Sequence, residues 1–223
     1  LYFKFKQKLS MKISYAILTH NEGEYIEKLL SFLVEHKRDE DEIVVVDDFS
    51  TDKNTKNIFK KFKDNITLNY REFDGDATQK NALNSYCTGD YILQLDADEL
   101  VSQEFVNMLH VILEDNNEID LFYVPRINTV EGLTQEHIQQ WKWNVNEKGW
   151  VNFPDWQMRL YRNCDWVKWE GLLHSKIVGQ KSFTNLPTDE LFCILHPKEI
   201  ERQEKQNNLY SRIELNGRKK YKV

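Results

Sequence analysis

The sequence predicts a single α/β domain with a mostly parallel central sheet flanked by helices. Short apolar, β-rich runs alternate with segments whose apolar residues recur at helical spacing, which is typical of strand–helix–strand units. The chain has 223 residues, of which 40% are hydrophobic, and this is enough for one large core. No internal repeat or low-complexity linker interrupts the pattern.

The first half of the chain contains the predicted elements in order. KISYAILT at residues 12–19 predicts a strand, and the apolar residues of 24–34 then recur at helical spacing. EIVVV at 42–46 is too continuously apolar for a strand with one solvated face, so we expect both faces to be buried. The further strands are expected at 66–70, 91–95 and 121–124, and the further helices at 55–62, 77–86 and 103–113.

The second half has a different composition, because all six tryptophans fall within 29 residues, between Trp141 and Trp169. We interpret it as an α+β elaboration of the same domain, in which residues 137–145 form a mobile flap. The predicted organisation is a linker or tag remnant at 1–10, a first half at 11–124, a second half at 125–200, and a C-terminal helix with a basic tail at 201–223.

Charge and composition exclude several kinds of partner. With a net charge of -6 and a pI of about 5.6, the chain is not expected to bind nucleic acid. No window reaches the roughly 18–20 consecutive apolar residues of a membrane-spanning helix. The three widely spaced cysteines are expected to be reduced thiols of a cytoplasmic protein. The basic tail allows contact with the inner face of a membrane, although a solvated tail is the simpler interpretation.

Polar side chains follow three of the predicted strands, at 19–22, 47–52 and 96–99. Because the carboxyl ends of parallel strands meet at one edge of a sheet, we expect a ligand site there. Asp96 and Asp98 would suit Mn²⁺ or Mg²⁺, which link carboxylates to substrate phosphates, or they form an acidic turn that caps the next helix. Asp47 and Asp48 would bind a ribose or base, or they cap the turn that follows.

Four stretches in a fixed order carry a resemblance to a known family: AILTHNE at 16–22, VVVDDFSTD at 44–52, QKNA at 79–82 and GDYILQLDADE at 89–99. They resemble family 2 glycosyltransferases with the GT-A fold. FPDWQMRLYR at 153–162 and WEGLLH at 169–174 are similar to the branch that includes lipopolysaccharide-core β-glucosyltransferases. The resemblance implies a metal-dependent, inverting transfer of a sugar from a nucleoside-diphosphate donor, with UDP-sugars favoured, to a glycan or glycolipid hydroxyl.

The resemblance also implies roles for individual residues and divides the chain into a nucleotide-sugar-binding half and an acceptor-side half. A further metal ligand would be His174, although Ser175 follows it where this branch often has glutamate. The nucleoside pocket would contain Thr19, Asn21, Glu22, Asp47 and Asp48. The donor phosphates or sugar would meet Lys80 and Asn81. The ribose and the metal would be bound by Asp96 and Asp98, with Asp98 the stronger metal ligand.

An inverting transfer needs one carboxylate base beside the acceptor hydroxyl. Asp155 is the first candidate, because Pro154 fixes the preceding backbone and Trp156 can exclude water. Glu170 is the second candidate and Asp165 the third.

Other polar and aromatic residues of the second half have two interpretations each. Arg159 and Arg162 would hold phosphates or an anionic acceptor, and we expect one of the two to be structural. His196 would complete the metal or diphosphate site or be packed, and Trp150 or Trp156 would contact a sugar or belong to the core.

Two other functions remain open at the level of sequence. A nucleotidyltransferase that makes an activated sugar would also bind nucleotide and metal on an α/β sheet, but no glycine-rich phosphate loop is present. A catalytically silent carbohydrate-binding scaffold would not need the intact acidic residues.

Overall fold

The computed structural model describes residues 11–171, 175–205 and 207. The predicted linker at 1–10, the candidate metal ligand His174 and the basic tail lie outside the described residues. Residues 200–205 and 207, the described part of the predicted C-terminal helix, are helical.

Ten strands are named in the described part of the chain. Their bounds are β1 Ile13–Thr19, β2 Glu42–Asp47, β3 Thr67–Tyr70, β4 Tyr91–Asp96, β5 Leu121–Glu131, β6 Val151–Arg162, β7 Lys168–Glu170, β8 Lys176–Val178, β9 Phe183–Asn185 and β10 Ile194–Glu199. The central sheet has the order β10-β5-β6-β4-β1-β2-β3, with β9 beside β5, while β7 and β8 form a separate antiparallel pair. β1 pairs in parallel with β2 and β4, and β2 pairs in parallel with β3. The predicted α/β fold class with a mostly parallel sheet is confirmed.

Five helices lie between these strands: α1 Gly23–His36, α2 Lys53–Lys61, α3 Asp76–Tyr86, α4 Gln103–Asp115 and α5 Gln135–Trp141. Three of them begin at side chains that accept a main-chain N–H of the first turn. Asp52 caps α2, Ser102 caps α4 and Thr134 caps α5. These caps explain why the polar loops after the strands turn directly into helices.

Both faces of β2 are buried, as its continuously apolar sequence predicts. Ile43 and Val45 belong to one hydrophobic cluster, which includes the buried face of α1, and Val44 and Val46 belong to the other. The strand therefore contributes side chains to a core on each side of the sheet. The sequence pattern did not predict β6, a strand of twelve residues whose last three, Leu160–Arg162, pair antiparallel with β4.

The described chain divides into two compact units. The first contains the residues up to Pro125 together with Trp156–Ile194, and the second contains Arg126–Asp155 together with the residues from Leu195 onward. No helix within the described ranges is both long and apolar enough to span a membrane.

The cysteines are free thiols in surroundings that disfavour ionisation. Burial raises the pKa of Cys87 to about 12 and that of Cys193 to about 11. Cys164 is partly exposed, and burial again raises the pKa of its thiol.

Glu42 joins the start of β2 to two neighbouring segments. Its carboxylate accepts hydrogen bonds from Ser14 Oγ at 2.6 Å, Lys12 Nζ at 3.0 Å and Thr88 Oγ1 at 2.9 Å. Burial alone would raise the pKa of Glu42, but the hydrogen bonds from Ser14, Thr88 and Lys12 outweigh it and lower the pKa to about 2. The ionised carboxylate therefore stabilises the folded chain.

We predict that Glu42→Gln lowers the free energy of unfolding at pH 7 by about 2 kcal/mol, because the amide cannot replace the charged acceptor. The pKa of Glu42 is depressed in the folded state, so its contribution is complete above the ordinary value of 4.5 and is lost as the pH falls toward about 2. Denaturant unfolding at several pH values should show the difference between variant and wild type shrinking over this window.

Glu35→Gln is the matched control, because the side chain of Glu35 is 75% exposed. It should change stability by less than about 0.5 kcal/mol. A Glu42→Gln deficit that stays constant down to pH 2 would contradict the assigned role of the charge.

Candidate active site

The polar ends of three parallel strands lie at one edge of the sheet in the first unit. Thr19 is the register partner of Asp47, and Leu18, one residue earlier, is the partner of Asp96. The segments 19–22, 47–52 and 96–99 therefore come together as the sequence analysis expected.

A hydrogen-bond network joins the loop after β1 to the loop after β2. The main-chain N–H of Asn21 donates to Ser50 Oγ at 2.8 Å, and both the hydroxyl and the N–H of Ser50 donate to the buried Asp47 carboxylate. Asn21 Oδ1 accepts from the N–H groups of Thr51 at 2.8 Å and Asp52 at 3.1 Å. The Asp47 carboxylate thus accepts hydrogen bonds from within its own loop. This is close to the alternative in which Asp47 caps the turn that follows β2. Glu22, next to this network, is half-buried, and its carbonyl accepts the N–H groups of Tyr25 and Ile26 in the first turn of α1.

Asp48 and its neighbours form the outer part of the same edge. Asp48 Oδ1 accepts the N–H of Phe73 at 2.9 Å, and the Asp48 carbonyl lies 2.7 Å from His20 Nδ1. The exposed rings of Phe49 and Tyr70 stack beside it, with centroids 5.9 Å apart. Thr19 is 6% exposed, and its buried Oγ1 atom has no hydrogen-bond partner. An unpaired buried hydroxyl at a strand end is the kind of polar group that a ligand atom satisfies.

Asp96 is bound by an arginine of β6. Arg159 donates through Nη1 to Asp96 Oδ1 at 3.1 Å and through Nη2 to Asp96 Oδ2 and to Glu99 Oε1, the last at 3.0 Å. Glu99 is fully buried, and its Oε2 atom accepts the Asp96 N–H at 2.9 Å. Burial alone would lower the pKa of Arg159, but the charges of Asp96 and Glu99 outweigh it and raise the pKa. Arg159 is therefore paired with protein carboxylates, whereas the sequence analysis expected it at phosphates.

Asp98 is half-buried and lies between the buried residues Ala97 and Glu99. Among the described residues, no group of three or more His, Cys, Asp or Glu side chains forms a closed metal site. Mg²⁺ and Mn²⁺ at phosphate sites are commonly held by one or two carboxylates together with water and substrate phosphates, so Asp98 fits such an ion as its protein ligand. His174, the other candidate, lies outside the described residues.

Lys80 and Asn81 on α3 contact the segment around β7. Asn81 Nδ2 donates to the Trp169 carbonyl at 2.8 Å, and Asn81 Oδ1 accepts the Trp169 N–H at 2.9 Å. Lys80 Nζ lies 4.2 Å from the centre of the Trp169 ring and 3.0 Å from Asp76 Oδ2. Asn81 thus fixes the backbone of β7, which the sequence did not indicate.

Ser175 donates its hydroxyl and its N–H to Asp76 Oδ2. Burial would raise the pKa of Asp76, but the bonds from Ser175 and the charge of Lys80 outweigh it and lower the pKa. Ser175 therefore helps to keep the Asp76 carboxylate ionised at the start of α3.

The three candidate bases differ in their surroundings. Glu170 is exposed and directly follows Trp169, which is 4% exposed, and Asp165 is also exposed. Asp155 belongs to the second unit, where its Oδ2 atom accepts hydrogen bonds from Arg126 Nη2 at 2.7 Å and Asn128 Nδ2 at 2.9 Å. The sequence predicted a water-excluding apolar setting for Asp155, and the structure gives it a positively charged partner instead.

The remaining candidates of the second half divide between core and surface. In the second unit His196 is buried, with Nδ1 2.7 Å from Asn128 Oδ1. In the first unit Arg162 donates to Asp120 Oδ1 at 2.8 Å and to Tyr91 Oη at 2.8 Å, which is a structural role. Trp169 is buried, while Trp150 and Trp156 are partly exposed.

Comparison with known proteins identifies the family. The family model described as glycosyl transferase family 2 matches residues 14–171, which contain the strand ends described above. The chain belongs to glycosyl transferase family 2. The predicted family is therefore confirmed, and assignment to the lipopolysaccharide-core branch stays a prediction.

Curated relatives match about half of the chain. It is 35% identical over 111 residues, or 48% of its length, to the minor teichoic acid biosynthesis protein GgaB of Bacillus subtilis, and covers 12% of that protein. It is 33% identical over 95 residues, or 41% of its length, to the poly-beta-1,6-N-acetyl-D-glucosamine synthase of Staphylococcus aureus, and covers 23% of it. The chain thus spans well under half the length of these relatives.

A solved structure confirms the GT-A fold expected for this family. Residues 1–349 of S. aureus TarS in complex with UDP-GlcNAc match with a TM-score of 0.60 and 20% identity. The match covers 84% of this chain and 59% of that one.

We predict that Asn21→Ala destabilises the chain more than Asn21→Gly, by about 1 kcal/mol, in denaturant unfolding. Asn21 has a φ of 55°, a left-handed conformation that glycine adopts freely and alanine does not. Both variants lose the Oδ1 acceptor, so the difference between them isolates the backbone strain. Thr51→Ala is the control, because it keeps the main-chain N–H that donates to Asn21 Oδ1, and it should change stability little. Equal stability of the two Asn21 variants would contradict the assignment of backbone strain to Asn21.

Proposed function

We propose that the chain catalyses an inverting, metal-dependent transfer of a sugar from a UDP-sugar to a hydroxyl of a glycan or glycolipid. The observation that carries this proposal is the meeting of Thr19, Asp47–Asp48 and Asp96–Asp98 at the carboxyl edge of the sheet, within a glycosyl transferase family 2 domain. Because the chain covers only part of its relatives, the acceptor and the activity of the whole protein belong to the proposal.

UDP-GlcNAc is the first donor to test. TarS was solved in complex with this nucleotide sugar, and the name of a second relative identifies it as a synthase of poly-N-acetylglucosamine. In this chain the nucleoside would meet Thr19, Asn21, Glu22 and Asp48, at the edge formed by the first two strand ends.

The diphosphate would lie against the D-x-D loop, which is Asp96–Asp98, and the start of α3. GT-A enzymes typically use a divalent metal, and Mn²⁺ or Mg²⁺ bound by Asp98 would neutralise the departing nucleoside diphosphate. Lys80 supplies a positive charge near the same edge, and its amine is already held by Asp76 and Trp169.

The proton of the acceptor hydroxyl must pass to a carboxylate as the hydroxyl oxygen bonds to the anomeric carbon and the bond to the phosphate oxygen breaks. Two carboxylates are proposed for this step. Glu170 is favoured by its surroundings, because it is exposed and the preceding residue is fixed to α3 by the two hydrogen bonds of Asn81. Asp155, the first choice from sequence, is already engaged by Arg126 and Asn128.

The test of donor and metal binding is a calorimetric titration of UDP and UDP-GlcNAc, with Mn²⁺ or with a chelator, into wild type and Asp98→Asn. We expect Mn²⁺ to tighten UDP binding about tenfold or more in wild type and to have no effect on the variant, because the amide is a weaker ligand for a hard cation. Asp115→Asn, at the end of α4, serves as the control and should behave as wild type. Metal-independent binding in wild type would overturn the metal role of Asp98.

The base is identified by comparing Glu170→Gln, Asp155→Asn and Asp165→Asn with the control Asp115→Asn in a transfer assay, with donor affinity measured in parallel. Loss of the base should lower kcat by about 10²-fold or more without weakening donor binding. We expect this result for Glu170→Gln. If only Asp155→Asn shows it, the base is Asp155; equal losses of kcat and donor affinity would exclude either residue as the base.

A further inference from the structure

Arg159 and Glu99 form a buried pair directly behind the D-x-D loop. The side chain of Arg159 is 6% exposed and that of Glu99 is 0% exposed, whereas 42% of the Asp96 side chain is exposed. Burying two charges is costly unless they are paired in good geometry. Packing of the core therefore does not by itself account for two charged side chains at this position.

Both members of this pair contact Asp96. Arg159 faces both carboxylate oxygens of Asp96 with its two terminal nitrogens, and Glu99 accepts the main-chain N–H of the same residue. The carboxylate and the backbone of Asp96 are thus fixed from two directions. A forked, two-bond contact of this kind sets the orientation of a carboxylate, which a single lysine amine does not.

Strand pairing accounts for the position of Arg159 beside Asp96. Asp96 is the last residue of β4, and the loop that follows carries Asp98. Arg159 lies on β6, next to Leu160, which is the register partner of Leu93 on β4. The antiparallel pairing of β6 with β4 is what brings the guanidinium to the end of β4.

We propose that Arg159 is a positioning residue that, together with Glu99, fixes Asp96 for the donor and withholds its carboxylate from the metal. The proposal rests on the donor-binding function proposed above. The fork of Arg159 engages both oxygens of Asp96, so the cation is left to Asp98, and the exposed part of Asp96 meets a hydroxyl of the donor. The pairing thereby assigns different partners to two aspartates that stand one residue apart.

This division of roles predicts a change in metal affinity that a purely structural salt bridge would not produce. When the fork of Arg159 is removed, the Asp96 carboxylate is released from it and can bind a divalent cation together with Asp98, two residues along the chain. Two carboxylates bind such a cation more tightly than one. Affinity for Mn²⁺ alone should therefore rise while affinity for the donor falls.

The experiment uses the double variant Arg159→Met with Glu99→Gln, which removes both buried charges together so that neither remains unpaired. Mn²⁺ binding without nucleotide is measured by electron paramagnetic resonance, and UDP-GlcNAc binding by calorimetry. We expect Mn²⁺ to bind about tenfold more tightly than to wild type and the donor to bind about tenfold more weakly. Adding Asp96→Asn to the double variant should return Mn²⁺ binding to the wild-type level.

Arg162→Met with Asp120→Asn is the matched control, because it removes another arginine of β6 together with its aspartate partner, with Arg162 Nε 2.8 Å from Asp120 Oδ1. Its stability should fall, but its Mn²⁺ and donor affinities should stay at the wild-type values. Arg159→Lys keeps the positive charge but cannot make the two-bond contact with Asp96. It should weaken donor binding and raise KM more than it lowers kcat.

Three results would overturn the inference: unchanged Mn²⁺ binding in the Arg159 and Glu99 double variant, weaker Mn²⁺ binding in that variant, or the same change in the Arg162 control. The Mn²⁺ measurement needs no nucleotide, so it decides the inference even if the donor is not a UDP-sugar. Loss of metal-dependent UDP binding in Asp98→Asn, with no change in the Arg159 variants, would support the proposed function and reject this inference.

Discussion

The parallel pairing of β1 with β2 on one side and β4 on the other is the constraint on which the site depends. All three strands are buried, and the register of β1 places Thr19 level with Asp47 and Leu18 level with Asp96. A shift of one residue in either pairing would move each side chain to the opposite face of the sheet and displace one acidic loop from the others. Hydrophobic packing thus determines the spacing of polar groups that do not take part in it.

The acidic side chains at this edge are held by internal donors before any ligand arrives. Ser50 binds Asp47, the N–H of Phe73 binds Asp48, and Arg159 binds Asp96. Such bonds fix the positions of the carboxylates, so that donor binding does not have to order them. The costs appear elsewhere, in the left-handed backbone of Asn21 and Phe49 and in the exposed rings of Phe49 and Tyr70.

The sequence predicted what depends on local patterns and missed what depends on pairing between distant segments. Apolar periodicity identified the strands and helices of the first half, and the motifs identified the edge where Asp47 and Asp96 lie. Nothing in the spacing of Arg159 and Asp96, which are 63 residues apart, shows that they pair. Asn81 reaches Trp169 across 88 residues, and its role in fixing β7 is equally hidden. Glu99 was visible as a third acidic residue beside the D-x-D, but only its burial distinguishes it from a solvated carboxylate.

The buried thiols make this chain a convenient substrate for single-site chemical labelling. With a pKa of about 12, Cys87 carries roughly 10⁻⁵ of its population as thiolate at pH 7, against roughly a few per cent for an exposed cysteine. Cys193 is buried as well, and the pKa of the partly exposed Cys164 is also raised. A cysteine placed at the exposed turn residue Lys63 would react with a maleimide dye well before the native thiols do. Probes can thus be attached without first deleting the native cysteines from the core.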